Sequence, residues 1–392
     1  MQSLPMSLTK RERVFQTVEL NGEPDMVPIF TLGFERTSKT FLDYQNSEES
    51  KDSVSWVQSK VSKLKYYITE QRFWNVDLNF MDPWGVGKIK RKIRKAPPEY
   101  PECRIDTLSG RLYKNVKQVE TGLDYSWYID GYFTSPEIVH SYWDKYGRPS
   151  ELINDRHNYS PQIWEAFVEA LSPYLYPMAW LPIAPHEALF EGMTITKVAY
   201  HMRKNPQFIH EVMSEYTKTN VEIVKRLAEA GVEIVWMFDD LGYKGHTIFS
   251  LKQLREFILP YYKQIYQACR KRGMLIIQHS CGNIDEILPD MVNAGLNGIQ
   301  ALEPAAGVDL QNLKETLGDR VCFLGGLDSS RILNFGTPKD VVEEVKRGIK
   351  IAAPGGGYFV GPSHNILNMP WENVLAMRAA IEKYRKYPLN LA

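Results

Sequence analysis

The chain has 392 residues, 44% hydrophobic and 24% charged, with a formal net charge of +0. That composition excludes a disordered chain, and the balanced charge leaves no global field to draw nucleic acid or an anionic membrane. No apolar run is long enough to span a membrane, the first residues lack the apolar core of a signal peptide, and the four scattered cysteines fit a reduced, cytoplasmic protein and not a disulfide framework.

In chain order, Leu8 to Leu20 reads as a short helix with Thr9 as N-cap, and Val27 to Gly33 as a first strand, followed by Glu35 and Arg36. Helical spacing over Ser53 to Phe73 precedes a strand at Val76 to Met81, which runs into Asp82. Residues 86–134 break the rhythm. Ser109-Gly110 sits between two polar strands as a hairpin turn does, so this stretch reads as an antiparallel β insertion. Its basic run, Lys88 to Lys95, reads first as a solvated face and second as a docking patch for an acidic partner.

Two helices are expected from Ser135 to Leu171. Strands then alternate with helices: Tyr176 to Ile183, Val232 to Phe238, the run from Met274, Gly298 to Leu302, Arg320 to Leu324 and Gly357 to Val360. Asn205-Pro206, Ser250, Asn283, Asp309, Thr337-Pro338 and Trp371 open the helices between and after them. Eight strand candidates alternating with helices predict an α/β fold, a single (β/α)8 barrel over residues 1–392 with an N-terminal helical extension and the insertion within it. A doubly wound sheet is the alternative, but no glycine fingerprint follows the first strand.

Such a barrel builds its site at the C-terminal ends of the strands. There the sequence places Glu35, Arg36, Asp82, His186, Glu187, Asp239, Asp240, His279, Cys281, Glu303, Asp328 and His364. Any one of these is ordinarily a helix cap or loop group; together they predict a polar metal or catalytic pocket. His279 and Cys281 are two apart on one strand, so they share a face, and an imidazole beside a thiolate is half of a zinc site. A catalytic zinc takes three protein ligands, and His364 is the expected third, with Glu303 next. Cys322 begins its strand and is placed away from the ligands.

The set Asp239-Asp240-Leu241-Gly242, Phe257 to Tyr262, His279-Ser280-Cys281-Gly282-Asn283, Gly325-Gly326-Leu327-Asp328 and Gly355-Gly356-Gly357-Tyr358 resembles the uroporphyrinogen decarboxylase superfamily over about residues 175–386. The resemblance implies one of two activities. The decarboxylase branch grips porphyrinogen carboxylates with an arginine-rich segment, and here the first strand ends in Gly33-Phe34-Glu35-Arg36 without one. The cobalamin-dependent methyltransferase branch holds zinc through a His-x-Cys and a third ligand, usually Cys, on the last strand; His279 and Cys281 match, and His364 stands near the third place.

The resemblance therefore implies a zinc methyltransferase that moves a methyl group between a small donor or acceptor, such as a methoxylated aromatic, and the cobalt of a corrinoid (cobalamin) carried by a separate protein. On this reading Asp239, Asp240 and Glu303 are catalytic or orienting groups, and His186, Glu35, Asp82 and Asp328 face the substrate. A metal-independent decarboxylase and a non-catalytic corrinoid- or tetrapyrrole-binding protein are the alternatives.

Overall fold

The structure is a computed structural model that describes residues 7–47, 69–81, 93–153 and 161–392. Asp82, most of the helix expected over 53–73 and residues 88–92 of the basic run lie outside the described residues.

Eleven strands are present among the described residues: β1 Leu78–Met81, β2 Ile93–Lys95, β3 Arg104–Asp106, β4 Arg111–Lys117, β5 Asp124–Gly131, β6 Tyr176–Trp180, β7 Ile234–Phe238, β8 Leu275–Ser280, β9 Gly298–Ala301, β10 Cys322–Leu327 and β11 Tyr358–Pro362. Seven form one sheet in the order β1-β6-β7-β8-β9-β10-β11, and four form an antiparallel sheet, β2-β3-β4-β5. The pairs β6–β7, β7–β8, β9–β10 and β10–β11 are parallel. The strand order never reverses, as it does in a doubly wound sheet. The fold is the α/β type of the (β/α)8 barrel, with the expected antiparallel insertion.

The chain sorts into two compact units, one of Met1–Asn79, Phe167–Pro177 and Asn297–Ala392, the other of Phe80–Ala166 and Met178–Leu296. In the first, residues 27–31 take a strand's place without regular pairing. Phe30 N–H donates to Val360 O at 3.2 Å, Val360 N–H to Pro28 O at 2.9 Å, and Asp77 N–H to Ile29 O at 2.9 Å. Pro28 has no N–H for a ladder, which explains why the expected strand is only a series of bridges. The Asp77 carboxylate is buried between the guanidinium groups of Arg13 (2.6 Å) and Arg385 (3.2 Å) and accepts from Ile29 N–H at 2.9 Å. Removing one partner of such a cluster strands a buried charge. β10 and β11 are buried along their whole length, as parallel strands with both faces covered are.

In the second unit, β7 and β8 pair with Trp236 opposite Ile277 and Phe238 opposite His279. The insertion turns at Asp106, whose carboxylate accepts from Leu108 N–H (3.0 Å) and Ser109 O–H (3.2 Å). The turn rests on the helix Pro185–Met193: Phe133 N–H donates to Gly192 O at 2.8 Å, and a Cβ on Gly192 would lie 1.8 Å from Ser109 O. Only glycine permits that approach.

That helix, and Ile195–Lys204 after it, are absent from the sequence reading. The signal was present: Pro185 sits at the first helical position, and Ala188, Leu189, Gly192 and Met193 bury one face. The helix expected from Ser250 is two, Leu251–Phe257 and Leu259–Arg270, broken at Ile258 because Pro260 has no N–H to donate back. No helix among the described residues is long and apolar enough to cross a membrane.

Candidate functional site

The site is assembled where β7 and β8 end. His279 is the penultimate residue of β8 and Cys281 follows it by two, so the pleat sends both side chains one way, and His279 Nε2 lies 3.1 Å from Cys281 Sγ. Asp240, two residues past β7, supplies a carboxylate oxygen 3.4 Å from the same Nε2. The three donor atoms lie within 4.8 Å of one another. The loops carrying them run backbone to backbone: Gly242 N–H donates to Cys281 O at 3.1 Å, and a Cβ on Gly282 would fall 2.3 Å from the Gly242 carbonyl carbon. Gly282 also has φ +76°, so the glycines of the two motifs are required by close approach and, at Gly282, by backbone conformation.

Both partners of His279 face the same ring nitrogen. In a nucleophile–base–orienter triad they would face opposite nitrogens; here they converge on one point, as metal ligands do. An imidazole, a thiol and a carboxylate suit zinc. A tetrahedron with bonds of about 2.0–2.3 Å has edges of roughly 3.3–3.8 Å; the His279–Asp240 edge of 3.4 Å matches it and the His279–Cys281 edge of 3.1 Å is slightly shorter. Burial opposes ionisation of Asp240, but His279 and the Cys281 N–H (2.8 Å) hold its carboxyl down at about 2. The residues fit a divalent cation.

Asp239 has another task. It is fully buried and accepts from His186 N–H (2.9 Å), Glu187 N–H (2.7 Å) and the Tyr262 hydroxyl (2.6 Å). It thus caps the helix Pro185–Met193 from the neighbouring strand and fixes His186 and Glu187. Burial raises its carboxyl to about 7 despite these donors. Tyr262→Phe removes one of them and is expected to cost about 1–2 kcal/mol in urea denaturation.

His186 is buried, its Nδ1 2.6 Å from Asp240 O, and burial lowers its pKa to about 4. Burial, with Asp240, Glu191 and Asp239 adding to it, raises Glu187 to about 8. Glu187 lines a cavity of about 330 Å³ with Ser109, Arg111, Trp180, Glu191 and Phe238. The Phe238 ring is 5.0 Å from that of His279, so the cavity adjoins the donor set. Sequence reasoning placed Glu187 at a strand end but passed over Arg111 and Glu191 as site residues, since an insertion turn and the outward residues of a helix carry no pattern that marks them.

The remaining expected site residues lie in the other unit. His364 Nε2 is 3.4 Å from Glu303 Oε2, and Glu303 also accepts from Ser330 O–H at 3.0 Å. Asp328 accepts from Arg331 N–H and Nε–H at 2.9 and 2.7 Å. Glu35 accepts from the backbone and hydroxyl of Thr37 at 3.3 and 3.1 Å. Cys322 is buried at the start of β10, and burial pushes its thiol well up.

Comparison with known proteins bears on the same residues. Residues 183–384, which hold the donor set, match the uroporphyrinogen decarboxylase (URO-D) family. Curated relatives include a uroporphyrinogen decarboxylase of Chlorobium luteolum, 27% identical over 37% of this chain and 39% of its own length. A methylcobamide:CoM methyltransferase, MtbA, of Methanosarcina acetivorans is 28% identical over 38% of this chain and 44% of its own length. The match thus spans less than half the length of these relatives. A solved methyltransferase from Methanosarcina mazei shares the fold over 96% of this chain and 99% of its own, with TM-score 0.61 and 14% identity. With the matched region covering just over half the residues and containing the strand ends that build the site, the chain belongs to the uroporphyrinogen decarboxylase family.

Proposed function

We propose that this protein is a zinc-dependent methyltransferase that moves a methyl group between a small substrate and the cobalt of a corrinoid carried by a separate protein. The observation that supports it is the convergence of Asp240, His279 and Cys281 on one point at the strand ends. A decarboxylase without metal has no use for a thiol and a carboxylate sharing one imidazole nitrogen. Relatives named as methylcobamide:CoM methyltransferases support the corrinoid reading.

Zinc held there supplies Lewis acidity toward an ether oxygen or a thiol. The chain's own residues do the rest. His279, on β8, and Cys281, just past its end, would hold the metal, with the strand fixing their spacing. Asp240 contributes charge and is steadied by the Cys281 N–H. Asp239 positions the helix that walls the adjoining cavity, and His186, with its low pKa, stays neutral beside Asp240. The sequence, independently of this geometry, offers His364 as a further ligand.

The test is to purify the protein without chelators, measure its metal, and follow the cobalt absorption spectrum with Co(I) cobalamin and methoxylated aromatics or other methyl donors. About one zinc per chain and methylation of cobalt are expected. A metal-free protein that leaves cobalt unchanged and releases CO2 from a carboxylated substrate would establish the decarboxylase alternative instead.

A further inference from the structure

We infer that the cavity between the insertion turn and the helix Pro185–Met193 binds the N-methylated ammonium group of a small organic cation. At about 330 Å³ it is at the low end of small-molecule sites, which run from about 300 to 1,000 Å³. Two aromatic rings form part of its wall. Trp180 and Phe238 lie 5.3 Å apart at 62°, and Trp180 is 43% exposed although it ends a strand. The two rings meet edge to face, and aromatic lining of this kind is what quaternary ammonium groups are recognised by.

The charges point the same way. Among the described residues the cavity has one guanidinium, that of Arg111, which pairs with Glu191 at 3.0 Å. Glu187 then has no cation of its own. Its backbone N–H goes to Asp239, and among the described residues no side chain pairs with its carboxyl. Asp240, Glu191 and Asp239 all act on it as like charges, and Arg111 alone opposes them. Burial and these like charges keep the carboxyl protonated up to about pH 8, and a ligand that brings a positive charge stabilises its ionised form. An anionic ligand would meet Glu187 and Glu191 with the one arginine already neutralised. A neutral ligand would leave the Glu187 deficit as it is.

The inference rests on the proposed function for what becomes of the bound molecule, since Phe238 places it one ring from His279, but not for whether it binds. The experiment measures binding alone, on the full chain at pH 8.5, by tryptophan fluorescence and calorimetry. Choline is compared with its neutral isostere 3,3-dimethylbutan-1-ol and with benzoate, before and after chelation of metal. Choline is expected to bind at least about tenfold tighter than the isostere, with benzoate weakest. Glu187→Gln should remove most of that preference at unchanged metal content, and Trp180→Leu should weaken choline binding. Equal or tighter binding of the isostere or of benzoate, or no binding of any probe, overturns the inference. Choline preference in a protein without zinc supports this pocket and removes only the methyl-transfer reading; zinc without choline preference does the reverse.

Discussion

Cys281→Ala is expected to lose nearly all of its zinc and all measurable methyl transfer. The thiolate is the softest donor of the set, and the alanine offers nothing in its place. What remains is His279 and Asp240, a two-point grip. Loss of a mere outer-shell partner already weakens metal binding by about 10- to 100-fold, so loss of a direct ligand should cost on the order of a thousandfold or more. Elemental analysis after dialysis reads this, with a thermal melt to confirm folding. Cys281 is partly exposed, so the variant is expected to fold. Cys103→Ala, in the insertion's small core, should keep its metal. If Cys281→Ala retained full metal and full activity, the zinc reading would be wrong.

The second large effect is on stability. Asp239→Ala leaves His186 N–H, Glu187 N–H and the Tyr262 hydroxyl without their acceptor at a fully buried position. Each stranded donor costs about 1–3 kcal/mol, so a loss of roughly 3–9 kcal/mol is expected in urea denaturation. Asp239→Asn keeps one acceptor oxygen and should lose less. The carboxyl also leaves a signature in pH. Its folded pKa is raised, to about 7 from an ordinary value of 3.8. Its contribution to stability is therefore full below the ordinary value and is lost as pH rises through about 7. Glu187, raised to about 8, acts in the same direction. The metal-free protein should weaken between pH 5 and pH 8 (about 3 units, within the range of ordinary titration), and Asp239→Asn should flatten part of that slope. An Asp239→Ala variant within about 1 kcal/mol of the wild type would show that these three hydrogen bonds do not hold the helix.

The two effects separate neighbouring carboxylates. Asp239 and Asp240 are adjacent in sequence, yet one is sealed beneath the helix and the other faces the donors. Sequence alone assigns them alike, as orienting or proton-transferring groups. Burial and hydrogen-bond partners make the difference, and neither is visible in a dipeptide.

Much was nonetheless legible. Alternation of apolar runs with helical spacing determined the α/β barrel class, because strand and helix periods are local properties. The pairing of His279 with Cys281 was legible too, since two residues apart on a strand share a face whatever surrounds them. Ser109-Gly110 announced its turn by turn chemistry. The helix at Pro185–Met193 could have been read from Pro185 and the apolar face that follows, while the weak pairing of residues 27–31 follows from Pro28. What only the tertiary structure decided is which distant groups meet. Asp240 joins His279 and Cys281 because two loops close on Gly242 and Gly282. Arg111 and Glu191, 80 positions apart, frame the cavity because Gly192 lets an insertion turn rest on a helix. Local pattern fixes the direction in which a side chain leaves its own element; the partners it finds depend on backbone approaches between elements that no periodicity encodes.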